Sequence, residues 1–226
     1  EGGDPTLDPN PGSSTGHHLH FEIRLNGTQV DPLEYISAEN PRPVSTFGLI
    51  GVNDDVSGAS ETKSAVCESL LNAGFSKNAV AGILGNIASE GAFRTNNLED
   101  CYEENQCCKI NGKNYGFCVH PEIKGFGSDS LYTAGVDSGA YPRSKFVNDW
   151  AGYGLIQWTY PTRKAGLYDF AKGQNKSIAA LSVQLAYFLQ EVKGYSTTWK
   201  YLQGNYSAYE IGYNFCVDYE GPAFPC

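Results

Sequence analysis

The sequence predicts a mainly α (α+β) fold, and three observations carry that prediction. Beyond residue 61 the apolar residues recur at helical spacing in successive segments, while before residue 40 they alternate as in a strand. Between residues 91 and 150 the chain is rich in aromatic, Gly and Cys residues and shows little periodicity. At 226 residues it has the length for one substantial domain with an appendage. The expected organisation is a short N-terminal β segment over 1–40, a linker over 41–60 and a helical domain over 61–226.

Residues 1–12 are rich in Gly, Pro and Asp and read as irregular. From Leu19 to Leu25, Phe21 and Ile23 alternate against Glu22 and Arg24, which predicts a strand; Asn26-Gly27 makes a tight turn, and Thr28 to Val30 returns. Pro, Ser, Gly and Asp mark the linker, with a short ordered core expected at Phe47 to Val52. A helix over Thr62 to Ala73 carries Ala65, Val66, Leu70 and Leu71 and closes at Gly74. A second helix runs from the N-cap Ser76 to Glu90. A short helix is expected over Arg163 to Ala171. Ser177 is expected to cap an amphipathic helix bearing Ile178, Leu181, Leu185, Phe188, Leu189 and Val192. Ser207 with Glu210 three residues on forms a capping box that opens a helix to about Val217.

Composition narrows the function. Hydrophobic residues at 41% and charged residues at 18% describe an ordinary globular chain. A net charge of −9 offers no basic stripe to neutralise phosphates, so nucleic acid is not an expected partner. No apolar run is long enough to span a bilayer. No signal peptide is visible at Glu1, and the lack of any Met, an initiator included, leads us to expect a processed or excised product. The seven cysteines, Cys67, Cys101, Cys107, Cys108, Cys118, Cys216 and Cys226, lack the short paired gaps of a zinc site. Disulfides formed in an oxidising compartment are expected, with one thiol left free or bonded to another chain.

The stretch "ILGNIASEGAF" raises the chemical question. Apolar residues at Ala79, Val80, Ile83, Leu84, Ile87 and Ala88 mark one buried helical face. At 100° per residue Glu90 lies roughly 20° from Ile83, on that face. It also sits in the last turn, where the helix dipole disfavours an anion, ahead of the helix-ending Gly91. Both effects favour the protonated acid, which a glycosidase uses to protonate a leaving oxygen. The alternative is a solvated glutamate whose stem covers an apolar edge. A second stretch, "DWAGYGLIQWT" over Asp149 to Thr159, combines glycines for close backbone approach with aromatic faces and an amide, a mixture suited to sugars; it could equally pack Tyr153 and Trp158 in the core.

Taken in order, "GILGNIASE", "NNLED", "AGVDSGAY", "AGYGLIQWT", "RKAGLYDFA" and "FCVDYEGPA" resemble the phage tail-tip lysozyme domain of peptidoglycan hydrolases, over about residues 62–223. The resemblance implies a lysozyme-like helical domain with a loop-rich, disulfide-bonded insertion, cleaving the β-1,4 bond between N-acetylmuramic acid and N-acetylglucosamine. It implies Glu90 as the catalytic acid, with Tyr153, Gln157 and Trp158 lining the glycan cleft. One position departs: many transglycosylase relatives carry Ser directly after the catalytic Glu, where this chain has Gly91. For the second carboxylate that such chemistry uses, Asp137 and Asp149 are the candidates, with Glu99 and Asp100 of "NNLED" beside them.

A third stretch, "STGHHLHFEIR", places His18 and His20 on the same side of a strand, as suits a metal ligand and a neighbouring general acid/base. With Val30-Asp31-Pro32 it resembles the end of a lysostaphin-type zinc endopeptidase domain, which implies His20 as zinc ligand and His18 as the assisting residue. That family takes another His and an Asp from an upstream segment, and neither His17 nor His120 matches those ligands. One ligand does not hold catalytic zinc, so residues 1–40 read as an inactive vestige. The expected protein is therefore a cofactor-free peptidoglycan hydrolase working on glycan strands. It is expected at an extracellular, cell-surface or virion-associated site, within a larger wall-degrading assembly. The rivals are a lytic transglycosylase, a catalytically silent wall-binding module and a zinc endopeptidase completed from elsewhere.

Overall fold

The computed structural model describes residues 23–25, 28–30, 44, 49, 51–56, 58–103, 109–110, 113–114 and 123–221. The chain divides into two compact units, Glu1–Asn40 and Pro41–Cys226. In the first, β1 (Ile23–Leu25) pairs antiparallel with β2 (Thr28–Val30), Ile23 opposite Val30 and Leu25 opposite Thr28. His17, His18 and His20 lie outside the described residues.

The larger unit is helical. It runs through α1 (Ala59–Ala73), α2 (Lys77–Glu90), a small ladder of β3 (Lys109–Ile110) and β4 (Lys113–Asn114), α3 (Asp129–Ser138), α4 (Arg143–Asn148), α5 (Pro161–Gly173), α6 (Leu181–Val192), α7 (Ser196–Gln203), α8 (Ala208–Asn214) and a closing π-helical turn over Phe215–Glu220. Leu70, Ile83, Ile87, Phe146, Trp158, Phe188 and Phe215 are fully buried in its core. Each such side chain contributes on the order of 2 kcal/mol relative to exposure.

The sequence cues account for the two first helices. α1 ends where Gly74 turns left-handed at φ 104, its N–H reaching the Leu70 and Leu71 carbonyls. The Ser76 hydroxyl accepts from the Ala79 N–H at 3.1 Å and opens α2, whose buried face is Ala79, Val80, Ile83 and Ile87; Ala88, expected on that face, is exposed. α2 packs on α8 through bare backbone. A Cβ on Gly82 would lie 2.9 Å from both the Gly212 nitrogen and Ile211 Cγ2, so only glycine allows the crossing. Asn86 Nδ2 donates to the Gly212 carbonyl at 3.1 Å and Asn78 Nδ2 to that of Tyr206 at 2.9 Å, fixing the register of the pair.

Three expectations need correction. The segment 91–150 is not only loop: it holds α3 and α4, whose buried Tyr132, Gly135, Val136 and Phe146 give too short a run for periodicity to register. Ser177 does not cap a helix, since α6 begins at Leu181; the Ser177 hydroxyl bonds Asp137 and accepts from the Ala179 N–H at 3.0 Å. α7 was not expected, because its Ser, Thr and Lys residues obscure a face that buries only Thr198 and Leu202. The final helix opens at the Ser207–Glu210 capping box as expected, then widens into the π-turn after Asn214.

Candidate active site

A cleft of about 640 Å³ opens where the C-terminal end of α2 meets the loop 149–160 and the π-turn. Glu90, Glu99, Asp100 and Glu220 bring carboxyls to it, and Arg94, Asn97, Trp150, Gln157 and Tyr160 share its lining. Glu90 is the last residue of α2 and is half-buried. Burial first, and the negative charge of neighbouring Glu99 second, raise its pKa above the ordinary carboxylate value. No basic residue stands in the last turn of α2 to oppose that shift.

The backbone beyond Glu90 is set by close approach. A Cβ at Gly91 would come within 2.7 Å of the Leu155 carbonyl oxygen and 2.8 Å of that of Gly154. Glycine at 91 therefore lets the "GYGLIQ" loop lie directly against the acid; the position is buried against backbone and is not among the cleft residues. The "NNLED" segment pairs with the same loop. Leu98 bridges Tyr153, the Glu99 N–H donates to the Gly152 carbonyl at 2.9 Å, and the Gly154 N–H donates to the Asn97 carbonyl at 2.8 Å. The Glu99 side chain accepts from the Gly152 N–H at 2.9 Å, which orients its carboxyl at the cleft. Gln157 Nε2 donates to the Asn97 and Gly154 carbonyls at 3.2 and 3.0 Å.

Glu220 escaped the sequence reading, although a signal was present. It closes its helical turn immediately before Gly221, which is left-handed at φ 58, repeating the Glu-Gly ending of α2. Two helix-final glutamates thus meet at one cleft. The Glu220 Oε1 is buried without a hydrogen-bond partner among the described residues. Burial drives its pKa well above the usual value; the Arg163 charge works against this, and the charges of Glu90 and Glu191 add to it. Arg163 is occupied elsewhere, donating to both Glu191 oxygens at 2.9 and 3.0 Å.

Of the sequence-derived candidates, Glu90, Glu99, Asp100 and Gln157 line the cleft, and four others do not. Tyr153 is fully buried, its hydroxyl 2.6 Å from the Thr133 hydroxyl. Trp158 is fully buried and its indole N–H donates to Glu191 at 2.9 Å. Asp149 is a buried anchor: Lys164 donates to it at 2.5 Å, and Tyr132 and Tyr141 donate at 2.5 and 3.0 Å. Asp137 accepts from the Ile178 N–H at 3.1 Å and from Ser177, tying α3 to the turn before α6. Both aspartates are thus engaged in packing, and the carboxyls that share the cleft with Glu90 are those of Glu99, Asp100 and Glu220.

Strain concentrates around the cleft. Five non-glycine residues have positive φ among the described residues; Ala92, Trp150 and Gln157 line the cleft, and Phe93 adjoins it. Such conformations cost free energy and tend to persist where function requires them. Among the described residues no cluster of His, Cys, Asp and Glu suits a metal ion, and no helix is long and apolar enough to cross a membrane. Cys67 is a free thiol, and the side chains of Cys101, Cys107, Cys108, Cys118 and Cys226 lie outside the described residues.

No curated relative and no solved structure matches the chain significantly. The profile of the phage tail lysozyme family matches residues 61–225, which takes in both walls of the cleft, Glu90 and Glu220 alike. With its helical fold and an acid at the end of α2 facing a carboxyl-lined cleft, the chain belongs to the phage tail lysozyme family.

Proposed function

We propose that this peptidoglycan-lytic enzyme is a muramidase. Glu90 delivers its proton to the glycosidic oxygen between N-acetylmuramic acid and N-acetylglucosamine. Glu99 stands across the cleft as the second carboxylate, drawing a proton from the attacking water or balancing the cationic sugar. Gln157 and Arg94 supply polar contacts along the glycan. The reaction needs no cofactor: the proton comes from Glu90 and the nucleophile is water. The observation that carries this reading is the half-buried Glu90, with its raised pKa, opening on the same cleft as Glu99. A raised pKa keeps an acid protonated toward neutral pH, where it can act as a donor.

Action on the wall from outside the cell or from a virion fits the family, and disulfides among the cysteines would suit that setting. Residues 1–40 are read as the inactive vestige of a lysostaphin-type peptidase. The test is digestion of purified peptidoglycan by the wild type and by Glu90→Gln, with products identified by mass spectrometry. The expected result is muropeptides with reducing muramic ends from the wild type and a loss of about 10²–10⁴-fold in the variant. Anhydro-muramic ends would replace hydrolysis by transglycosylation. Undiminished activity of Glu90→Gln would remove Glu90 from the chemistry.

A further inference from the structure

Two large aromatic side chains stand open to water at the mouth of the cleft. Trp150 is 52% exposed and Tyr160 51% exposed, in a domain whose other cleft-loop aromatics, Tyr153 and Trp158, are fully buried. Both line the cleft with Glu90, and their rings meet edge to face with centroids 5.9 Å apart and planes at 75°. Leaving such rings in water forgoes burial that the fold grants to their neighbours.

The exposure is built. Trp150 has φ 63, a left-handed conformation that a bulky residue rarely adopts. The residues on either side of it are pinned: the Ala151 N–H donates to Asp149 Oδ1 at 3.0 Å, and Lys164 Nζ donates to the Ala151 carbonyl at 2.7 Å as well as to Asp149. Tyr160 immediately precedes α5, and its carbonyl accepts from the Lys164 N–H at 2.9 Å. The buried Lys164 ammonium therefore fixes the backbone on either side of Trp150, and the first turn of α5 fixes that of Tyr160.

The chemistry of the cleft limits what those rings can receive. Among the described residues four carboxyls line it against one cation, Arg94, which is itself paired with Asp129 at 2.8 Å. This lining offers an anionic ligand no free cation, whereas an uncharged sugar ring offers an apolar C–H face to an aromatic and hydroxyls to the carboxyls. We propose that Trp150 and Tyr160 form a sugar-stacking subsite of the Glu90 cleft, with Trp150 presented by the Lys164–Asp149 pair and Tyr160 by the start of α5. The subsite takes an uncharged pyranose of the glycan, and it rests on the reading of this cleft as the glycan site.

The test uses the full chain carrying Glu90→Gln, so that binding is measured without turnover. N-acetylchitohexaose, a neutral probe, is titrated by calorimetry and by tryptophan fluorescence. The expected result is a fluorescence change that disappears in Glu90→Gln/Trp150→Phe, whose remaining indoles are Trp158 and Trp199. Affinity should fall at least about tenfold in Glu90→Gln/Trp150→Ala, as expected when an aromatic no longer buries its face, and should fall in Glu90→Gln/Tyr160→Ala. Circular dichroism and the milder Phe variant separate lost stacking from lost fold. Absence of binding to Glu90→Gln, unchanged affinity in Trp150→Ala, or a fluorescence change that survives Trp150→Phe would each overturn the subsite. The catalytic reading is judged apart from this, by digestion with Glu90 intact: Trp150→Ala should there raise KM and leave kcat within about threefold, as uniform binding predicts.

Discussion

Replacing Lys164 by Met removes the centre of the scaffold beneath the cleft. The ammonium is fully buried and donates to Asp149 at 2.5 Å, to the Ala151 carbonyl at 2.7 Å and to the Tyr132 hydroxyl at 3.0 Å. Met fills most of the same volume but leaves Asp149 as a buried carboxylate whose named donors are the Tyr132 and Tyr141 hydroxyls and the Ala151 N–H. Stranding one member of a buried pair costs about 3–5 kcal/mol. At about 2–4 °C per kcal/mol for a domain of this size, Tm falls by roughly 6–20 °C. The opposite substitution, Asp149→Asn, behaves differently with pH. Burial already lowers the Lys164 pKa to about 8, with Asp149 holding it up. Without Asp149 the amine sheds its proton at lower pH still. A lysine whose folded pKa lies below its unfolded value stabilises the fold progressively as pH rises through the folded pKa. The deficit of Asp149→Asn relative to wild type should therefore narrow as pH rises toward about 8, whereas that of Lys164→Met should not. Urea unfolding followed by circular dichroism at several pH values measures both. A cost below about 1 kcal/mol for either variant, or a double mutant whose loss equals the sum of the singles, would refute a coupled buried pair.

Two further predictions concern the carboxyls. With Glu90 as the proposed proton donor, activity declines as pH rises through its raised pKa; since Glu99 contributes to that elevation, the residual activity of Glu99→Gln should show its alkaline limb of kcat at lower pH. A limb that stays in place would show that Glu99 does not act on Glu90. Glu103, buried beside Asp129, has its pKa pushed up to about 7, by burial first and by the Asp129 hydrogen bond next. An acid whose folded pKa exceeds its unfolded value stabilises the fold only while protonated, so unfolding free energy should fall from about pH 4.5 to 7. Glu103→Gln should flatten that slope, and an unchanged slope would exclude Glu103 as its source.

Cleft residues are legible in the sequence where a local signal coincides with a global one. Glu90 was legible because helical phase, a terminal turn and a following glycine all pointed to the same residue. Gln157 was legible as a polar residue in a glycine-rich loop. Trp158 and Trp150 lie in the same short stretch and share a chemistry, yet one is core and the other is cleft, and nothing in their spacing distinguishes them. The difference arises from Lys164, fourteen residues after Trp150, which pulls the backbone around Asp149 inward and leaves the Trp150 ring outside. Asp149 and Asp137 looked available because their partners are supplied by α3, α5 and the turn before α6, contacts that depend on tertiary packing. Glu220 was passed over because a π-turn has no periodic signature, although its Glu-Gly ending was in view.

The crossing of Gly82 and Gly212 has a consequence for how the enzyme comes into being. The acid belongs to α2, near the start of the helical unit, while the surface it packs against and the Glu220 side of the cleft come from residues 208–221. During synthesis Glu90 leaves the ribosome more than a hundred residues before the wall that completes its cleft. A nascent chain, or one cut short before the π-turn, holds the proposed proton donor without the Glu220 side of the cleft. In the proposed mechanism the cleft is complete only once residues 208–221 are in place.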